Sequence, residues 1–397
     1  KFDFKKYIKE ELNTYEIVDL WGNVHEVDDI DILVTKSCFK AQIDEDDDGN
    51  KRWLFKDMQD YYNRLNKYGY RDFGISNYAS DELDKYAPTT YQLINALDLD
   101  KTDLVELAKP EIKLIKNVIN RGDTASVKLF LDMVSSKELE DDEDKTKLDY
   151  IKEAIELNER MVFDKEVQKT LFDLAQSSMY EIMKGRIRIS SRYQYITGDI
   201  IGFCEWAAYR DESKVKGFLG KNEFYCKGME NEEYILARYP LTHYSEVKVA
   251  PFVASNNPYM EHLHNIIQFN MYGLTMAQLA GCDHDGDTVD VIDSDIPIGN
   301  NRIIKDAVID DYVIVNPDDG ALAEAKKINI DTIWEFEKAN LHNLTGRVTN
   351  INTTICDKAL SRGKLVDSDL PIAVCKYLQG LIIDSAKTGQ VVTIPEA

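Results

Sequence analysis

The amino-acid sequence predicts an α+β protein in which a compact β-barrel lies between two helical regions. Residues 55–184 place apolar residues three and four positions apart, in segments such as MQDYYNRLNKYG and SVKLFLDMVSS, as amphipathic helices do. Residues 185–295 change to six short apolar segments, from GRIRIS to TVDVID, divided by Gly, Pro and Asn. Six short strands within about 110 residues favour a barrel over a sandwich. Helical periodicity returns after Ile330.

Residues 13–56, ahead of the first helices, are predicted to be rich in β-structure. EIVDLWGNVHEV contains a Gly-Asn turn, and DIDILVT and FKAQI are further candidate strands. The acidic stretch between Ile43 and Trp53 is predicted to be the tip of a hairpin. It begins like an EF-hand calcium loop, DEDDDG, but Phe55 occupies the twelfth position, where such a loop needs Glu.

The charge of the chain restricts how it can bind nucleic acid. The 48 Lys and Arg residues are outnumbered by 71 Asp and Glu residues. The resulting net charge of −23 has the wrong sign for a protein that binds nucleic acid over its whole surface. Residues 181–280, however, contain eleven basic and eleven acidic residues, so this stretch is neutral. Acidic surface away from a neutral cleft is compatible with an enzyme of nucleic acids but does not support one.

The cysteine pattern and the hydropathy predict a cytosolic protein. The six cysteines are scattered without a Cys-x-x-Cys pair, which argues against structural zinc or a disulfide framework and fits a reducing compartment. No apolar run is long enough to span a bilayer, and the N-terminus lacks the apolar segment of a secretory signal. We therefore expect a cytoplasmic location and no membrane partner.

The segment AGCDHDGDTVDVID, at residues 280–293, is the most informative part of the sequence. Asp283, Asp285 and Asp287 recur at every second position around Gly286, a residue type that lets a loop wrap an ion. Carboxylate oxygens suit a hard cation such as magnesium or calcium. From spacing alone, a solvated turn or a structural calcium site is as well supported as a catalytic magnesium site.

The string Asp-x-Asp-Gly-Asp, here DHDGD, resembles the metal loop of RNA polymerases built on two double-psi β-barrels. This superfamily includes the largest subunits of cellular RNA polymerases, the RNA-dependent RNA polymerases of eukaryotic RNA silencing, and single-chain bacteriophage RNA polymerases. The resemblance implies an α+β fold with a double-psi β-barrel catalytic core, its first barrel partial and its second complete, and with flanking helical regions. The implied domains are part of the first barrel (residues 1–56), a helical connector (57–184), the second barrel with the metal loop (185–296), and a helical region packing on the active site (297–397).

Further segments follow the order that they have in this superfamily. ARYPLTH resembles its Arg-x-Pro strand, which implies that Arg238 and Pro240 contact the ribose and phosphates of a nucleotide. DILVTKSCFKA resembles a first-barrel strand ending in Ser-x-x-Lys, which puts Lys40 at the position of an active-site lysine. GRVTNINTTICDKAL and LIIDSAKTG resemble two later segments, with Asn350 and Lys387 at substrate-binding positions. The other matched residues of these two segments are Gly346, Asp357, Asp384 and Gly389. The implied catalytic residues are Asp283, Asp285, Asp287, Lys40 and Arg238, of which the three aspartates bind the metal.

Two departures bear on which branch of the superfamily the chain is similar to. Cellular enzymes carry Asn two residues before the first aspartate, whereas Gly281 stands there in this sequence, as suits the phage and silencing enzymes. Those enzymes also carry a second lysine in a Lys-Gly segment, which would fall just before Asp3. Only Lys1 is available there, and no Gly follows it. We therefore expect a further polymerase segment or subunit to complete the first barrel.

The resemblance implies nucleotidyl transfer assisted by two magnesium ions, with ribonucleoside triphosphates and a nucleic-acid template as partners. A composition rich in Tyr, Asp and Asn favours a phage-type DNA-directed RNA polymerase in the host cytoplasm, and an RNA-directed enzyme of the silencing type is the alternative. A non-catalytic scaffold stabilised by calcium, with acidic patches for a basic partner, is a hypothesis of another class. A magnesium-dependent nuclease is a third, but it leaves the Arg-x-Pro and Ser-x-x-Lys strands unexplained.

Overall fold

A computed structural model gives the positions of most of the chain. It describes residues 2–39, 42–45, 51–70, 72, 74, 86–120, 123–135, 146–229, 232–279, 282–284, 286–293, 301–309, 329–340, 344–388 and 392.

Helices occupy the two regions where the sequence predicts them, and further helices lie outside those regions. In chain order they are α1 (Phe4–Glu10), α2 (Lys36–Phe39), α3 (Met58–Tyr68), α4 (Tyr91–Asn95), α5 (Lys101–Ile119), α6 (Thr124–Val134), α7 (Lys147–Leu157), α8 (Lys165–Met183), α9 (Ile200–Tyr209), α10 (Thr275–Gln278), α11 (Asn301–Asp306), α12 (Ile330–Asn340), α13 (Thr345–Arg362) and α14 (Asp369–Thr388). Those outside the predicted regions are α1, α2, α9, α10 and α11. None of the described helices is both long enough and apolar enough to cross a membrane.

Strands concentrate between α8 and α11. In chain order the strands are β1 (Glu16–Val18), β2 (Val24–Glu26), β3 (Gln42–Glu45), β4 (Lys51–Trp53), β5 (Ala87–Pro88), β6 (Arg188–Ile189), β7 (Ser191–Gly198), β8 (Phe224–Cys226), β9 (Glu233–Ala237), β10 (Val247–Pro251), β11 (Ile266–Phe269) and β12 (Thr288–Asp293).

Six of these strands form one sheet, in the order β10-β9-β12-β7-β11-β8. Neighbours run antiparallel except β7 and β11, which are parallel. The two edge strands also meet, because Phe224 in β8 bridges Phe252 directly after β10, and the Val253 amide donates to the Phe224 carbonyl at 2.9 Å. The sheet therefore curls until its two edges meet at this bridge, which confirms the predicted barrel.

The barrel strands contribute buried residues on both faces. One face packs around a core that includes Ile196, Leu236 and Val291. The other face, with Ile235 and Ile292, packs against a helical layer supplied by α4, α5 and α11. Burial on both sides fixes the register of each strand, since a shift by one residue would exchange its two faces.

The longest barrel strand, β7, is not predicted by the sequence pattern. GRIRIS is predicted as a strand, but only Arg188–Ile189 forms one, and the eight residues of β7 follow it. Gln194 of β7 is completely buried, where alternation leads one to expect an apolar side chain, and its carboxamide oxygen accepts a hydrogen bond from the Cys226 thiol at 3.5 Å. Because this inward-facing residue is polar, the sequence of β7 does not show the alternation of apolar and polar residues that indicates a strand.

The first 56 residues only partly match the expectation of β-structure. The hairpin of β1 and β2 forms as predicted, and β3 pairs with β4, although the acidic tip between them lies outside the described residues. The predicted strand over DIDILVT is wrong: residues 30–35 belong to no strand, and Lys36–Phe39 forms a turn of helix. Thr35 explains the helix, because its hydroxyl oxygen accepts a hydrogen bond from the Cys38 amide at 3.2 Å, as a helix N-cap does.

A buried ion pair joins the helical connector to the start of the barrel. Glu111 in α5 is 1% exposed, and its carboxylate accepts hydrogen bonds from the Arg188 amide at 2.8 Å and from the Arg188 guanidinium at 2.9 Å. The same guanidinium donates to Ser178 of α8 at 3.2 Å. Three elements therefore meet at one charge pair.

We expect Glu111→Gln to lower the free energy of unfolding by about 3 kcal/mol, because the Arg188 cation then stays partly buried without a counter-charge. Denaturant unfolding measures the change. Glu106→Gln is the matched control, since Glu106 is paired with Lys109 on the exposed surface of the same helix and its loss is expected to change stability by less than about 1 kcal/mol. Equal losses for the two variants would contradict the role given to the buried pair.

Candidate active site

The aspartate-rich loop connects α10 to β12 and is anchored at both ends. Cys282, at its start, is buried in the barrel core, where burial raises the pKa of its thiol to about 12, and its amide donates to the Met276 carbonyl at 3.1 Å. Val289, just beyond its end, is buried in the same core. A short loop held between two fixed points is preorganised, as a binding site requires.

Gly286 adopts a backbone conformation that other residue types avoid. Its φ angle is +121°. A Cβ atom placed on it would meet nothing within 4 Å, so the requirement for glycine comes from the backbone angle and not from lack of space. This turn returns the chain so that the ends of the loop face each other: the Asp283 amide donates to Asp287 Oδ2 at 3.0 Å.

Asp287 is also the contact point of Arg238. The Arg238 Nη2 atom lies 2.7 Å from Asp287 Oδ2, and the two side chains are 17% and 25% exposed. The structure thus joins two positions that are 49 residues apart and that the sequence singles out for separate reasons. The pair is partly shielded from water, so its hydrogen bond is stronger than that of an exposed pair.

The described part of the loop fits a hard cation. Asp283 and Asp287 offer carboxylate oxygens, of which Asp287 Oδ2 is already paired with the Arg238 guanidinium. Asp285, the middle aspartate, lies outside the described residues. Across the described part of the chain, no three His, Cys, Asp or Glu side chains come together as a metal site would need, so the three-aspartate site stays a prediction.

His284 lies between the aspartates but packs elsewhere. A Cβ atom on Gly198, at the end of β7, would come within 3.3 Å of its Cε1 atom. Desolvation lowers the pKa of this histidine, because burial disfavours the imidazolium. The ring therefore lies close to the end of β7, while the residue as a whole is exposed.

Arg238 follows strand β9 and is held in place by its neighbour. Tyr239 packs against the helical layer behind the barrel, and its hydroxyl lies 3.4 Å from Asp290 Oδ2. The next peptide bond, from Tyr239 to Pro240, is cis. Asp290 itself is 1% exposed and lies opposite Ala237 of β9 in the sheet register.

Asp290 carries an unusual carboxyl group. Burial raises its pKa to about 7, and the hydroxyls of Ser191 and Tyr239 only partly oppose the shift. Because the folded protein holds the proton more tightly than the unfolded chain, the stability contributed by this group is present below about pH 4. It is lost as the pH rises towards 7.

We expect Asp290→Asn to raise the free energy of unfolding by up to about 4 kcal/mol at pH 8, at 1.36 kcal/mol per pKa unit, and by little at pH 4. Asparagine can still accept the hydrogen bond from Tyr239, so the packing is preserved. Thermal unfolding of both proteins at the two pH values tests this. A gain of the same size at both pH values would mean that Asp290 does not titrate in this range.

The remaining predicted site residues differ in what the structure describes. Lys40 lies outside the described residues, and Lys387 is placed in α14 without a description of its side chain. Pro240 adjoins Arg238 and is exposed, and Asn350 is exposed on α13. Within the described chain, no hydrogen bond joins the Asn350 side chain to the aspartate loop.

Sequence reasoning missed a set of polar contacts directly after Arg238. Asn352, and not Asn350, faces the barrel, and its side-chain amide donates to the Thr242 carbonyl at 2.8 Å. Glu246 and Lys376 form an ion pair in which both side chains are at least nine-tenths buried. A lysine inside the apolar stretch PIAVCKYLQG is the one signal that could have pointed to this pair.

Comparisons with known proteins agree on one family. The model of a family described as RNA dependent RNA polymerase matches residues 61–397. Among solved structures, the RNA dependent RNA polymerase QDE-1 from Thielavia terrestris is similar, with a TM-score of 0.53 and 18% sequence identity. The match covers 78% of this chain but 36% of that one, and at this identity it shows the fold alone. No curated protein sequence matches. Together with the closed sheet, the likeness identifies an α+β fold with a double-psi β-barrel.

Proposed function

Because the chain belongs to the RNA dependent RNA polymerase family, we propose that it takes part in synthesising RNA by nucleotidyl transfer on an RNA template. The observation that carries the proposal is the contact between Arg238 and Asp287, which brings a guanidinium to the aspartate loop. A cation beside carboxylates that are partly shielded from water is the arrangement that phosphoryl chemistry needs.

The site residues are proposed to have distinct parts in this reaction. Asp283 and Asp287, with Asp285, would hold Mg²⁺, which when bound lowers the pKa of the attacking hydroxyl and neutralises the leaving pyrophosphate. Arg238 offers two parallel N–H donors for phosphate oxygens, and Asp287 holds its planar group in one orientation before substrate arrives. Lys40 is proposed to add further positive charge. Asn350, Lys387 and Pro240 are proposed to contact the substrate.

The template is proposed to be RNA and not DNA. The composition favoured a DNA-directed phage-type enzyme, but the family match supports the silencing-type alternative. The chain spans about a third of the length of the QDE-1 structure, 36%. A further polymerase segment or subunit that completes the first barrel is proposed as a partner. A cytoplasmic location is proposed with it.

Parallel assays on templates of one sequence, made as single-stranded RNA and as single-stranded DNA, test the template choice. We expect labelled ribonucleotide to be incorporated at least about tenfold faster on RNA. Faster synthesis on DNA would restore the phage-type interpretation. Calcium binding without synthesis on either template, in the presence of the completing segment, would favour the scaffold.

A further inference from the structure

Residues 238–246, which we call the linking segment, touch the active site at one end and the C-terminal helices at the other. Arg238 begins the segment and pairs with Asp287 of the aspartate loop. Glu246 ends it and pairs with Lys376 of α14. The sequence motifs account for the first contact only.

Glu246 organises its end of the segment. It is 1% exposed, and its Oε2 atom accepts hydrogen bonds from the amides of Thr242 and His243, both at 2.8 Å. Its Oε1 atom accepts a hydrogen bond from the Lys376 ammonium, which is 7% exposed. Burying two charges is unfavourable unless their geometry is well defined, so this pair points to a requirement for position and not for stability alone.

A second contact between the segment and α14 runs through Asp369. One oxygen of this carboxylate lies 2.5 Å from the Tyr244 hydroxyl and 3.2 Å from His243 Nε2. The other nitrogen of the His243 ring lies 2.8 Å from the Ser245 hydroxyl, which fixes the ring orientation. Helix α13 adds the bond from Asn352 to the Thr242 carbonyl. The segment is therefore bound to both C-terminal helices by side chains that come from distant parts of the sequence.

The residues between the two ends leave the linking segment little freedom to move. Leu241 is 2% exposed in the helical layer behind the barrel, and Tyr239 packs against the same layer. Pro240 restricts its own φ angle. Because a packed segment moves as a unit, a displacement at Thr242 is passed to Arg238.

We propose that Lys376 and Glu246 are positioning residues, which hold the linking segment so that Arg238 meets Asp287 and the aspartate loop stays closed. The effect of these two residues on RNA synthesis rests on the proposed function. Their effect on the aspartate loop is independent of the proposed function, and the two effects are measured separately.

Hydrogen exchange of the 397-residue chain tests the effect on the loop. The reporter is the Asp283 amide, because Asp287 accepts its hydrogen bond. In Lys376→Met we expect this amide to exchange about tenfold faster than in the wild type. Glu111→Gln, which removes the buried ion pair with Arg188, is the matched control. It lowers stability, but the exchange rate of the Asp283 amide is expected to stay within about twofold of the wild-type rate. Lys376→Arg keeps a cation at this position, so its Asp283 amide is expected to exchange as slowly as in the wild type.

Two outcomes overturn the proposal: an unchanged Asp283 amide in Lys376→Met, or equal acceleration in Glu111→Gln. If Lys376→Met does not fold, Glu246→Gln replaces it, since the glutamine oxygen can still accept both backbone hydrogen bonds while the charge and the hydrogen bond to Lys376 are lost. In an active preparation, the same variants should raise the KM for nucleoside triphosphate about tenfold and lower kcat less, because Arg238 acts on the nucleotide. Absence of synthesis by the wild type counts against the proposed function, while the exchange rates still decide the positioning role.

Discussion

Asp287→Asn is expected to reduce RNA synthesis roughly a thousandfold, about 4 kcal/mol of lost transition-state stabilisation at 1.36 kcal/mol per tenfold. Asparagine keeps the shape of the side chain, and its oxygen can still accept the bonds from the Asp283 amide and from Arg238. What it removes is a negative charge at the position proposed to bind a divalent cation. The measurement is the single-turnover rate at saturating nucleotide and Mg²⁺.

Asp293→Asn is the control for Asp287→Asn, because Asp293 is the last residue of β12, the strand that follows the loop. It makes the same chemical change away from the loop and is expected to keep the wild-type rate within about threefold. A wild-type rate in Asp287→Asn would mean that the loop does not bind the catalytic metal.

Arg238→Lys is expected to lower kcat/KM for nucleoside triphosphate about a hundredfold, although the charge is preserved. Lysine replaces a planar fork with a single ammonium group, so it cannot bind Asp287 and two phosphate oxygens in one fixed plane. Arg186→Lys is the matched control, because Arg186 is half-exposed and pairs with Glu181 on the surface. If Arg238→Lys and Arg186→Lys behaved alike, the orientation of the guanidinium would not matter for the reaction.

The features that were predictable from the sequence are those written in local patterns. The helices follow from apolar spacing, the barrel from short strands divided by turn residues, and the aspartate loop from its carboxylates around a glycine. The resemblance to a superfamily placed Arg238 at the nucleotide, but its pairing with that loop was not predicted, because nothing local links residues 49 positions apart.

The features that were missed depend on distant contacts or on one side chain overriding a pattern. Glu246 and Lys376 are 130 positions apart, and a buried pair leaves no period in the sequence. The hydroxyl of Thr35 starts a helical turn where β-branched residues favour a strand. Asp290 looks like another acidic residue of its segment, and only its burial distinguishes it from Asp287.

The most direct test of the central claim is incorporation of labelled ribonucleotide on single-stranded RNA with Mg²⁺, by the chain supplied with a segment that completes the first barrel. We predict template-dependent RNA from the wild type and none from Asp287→Asn, with the same folded fraction in both preparations. Equal product from the two proteins, or product that does not depend on the template, would contradict the assignment of the aspartate loop as the centre of an RNA polymerase.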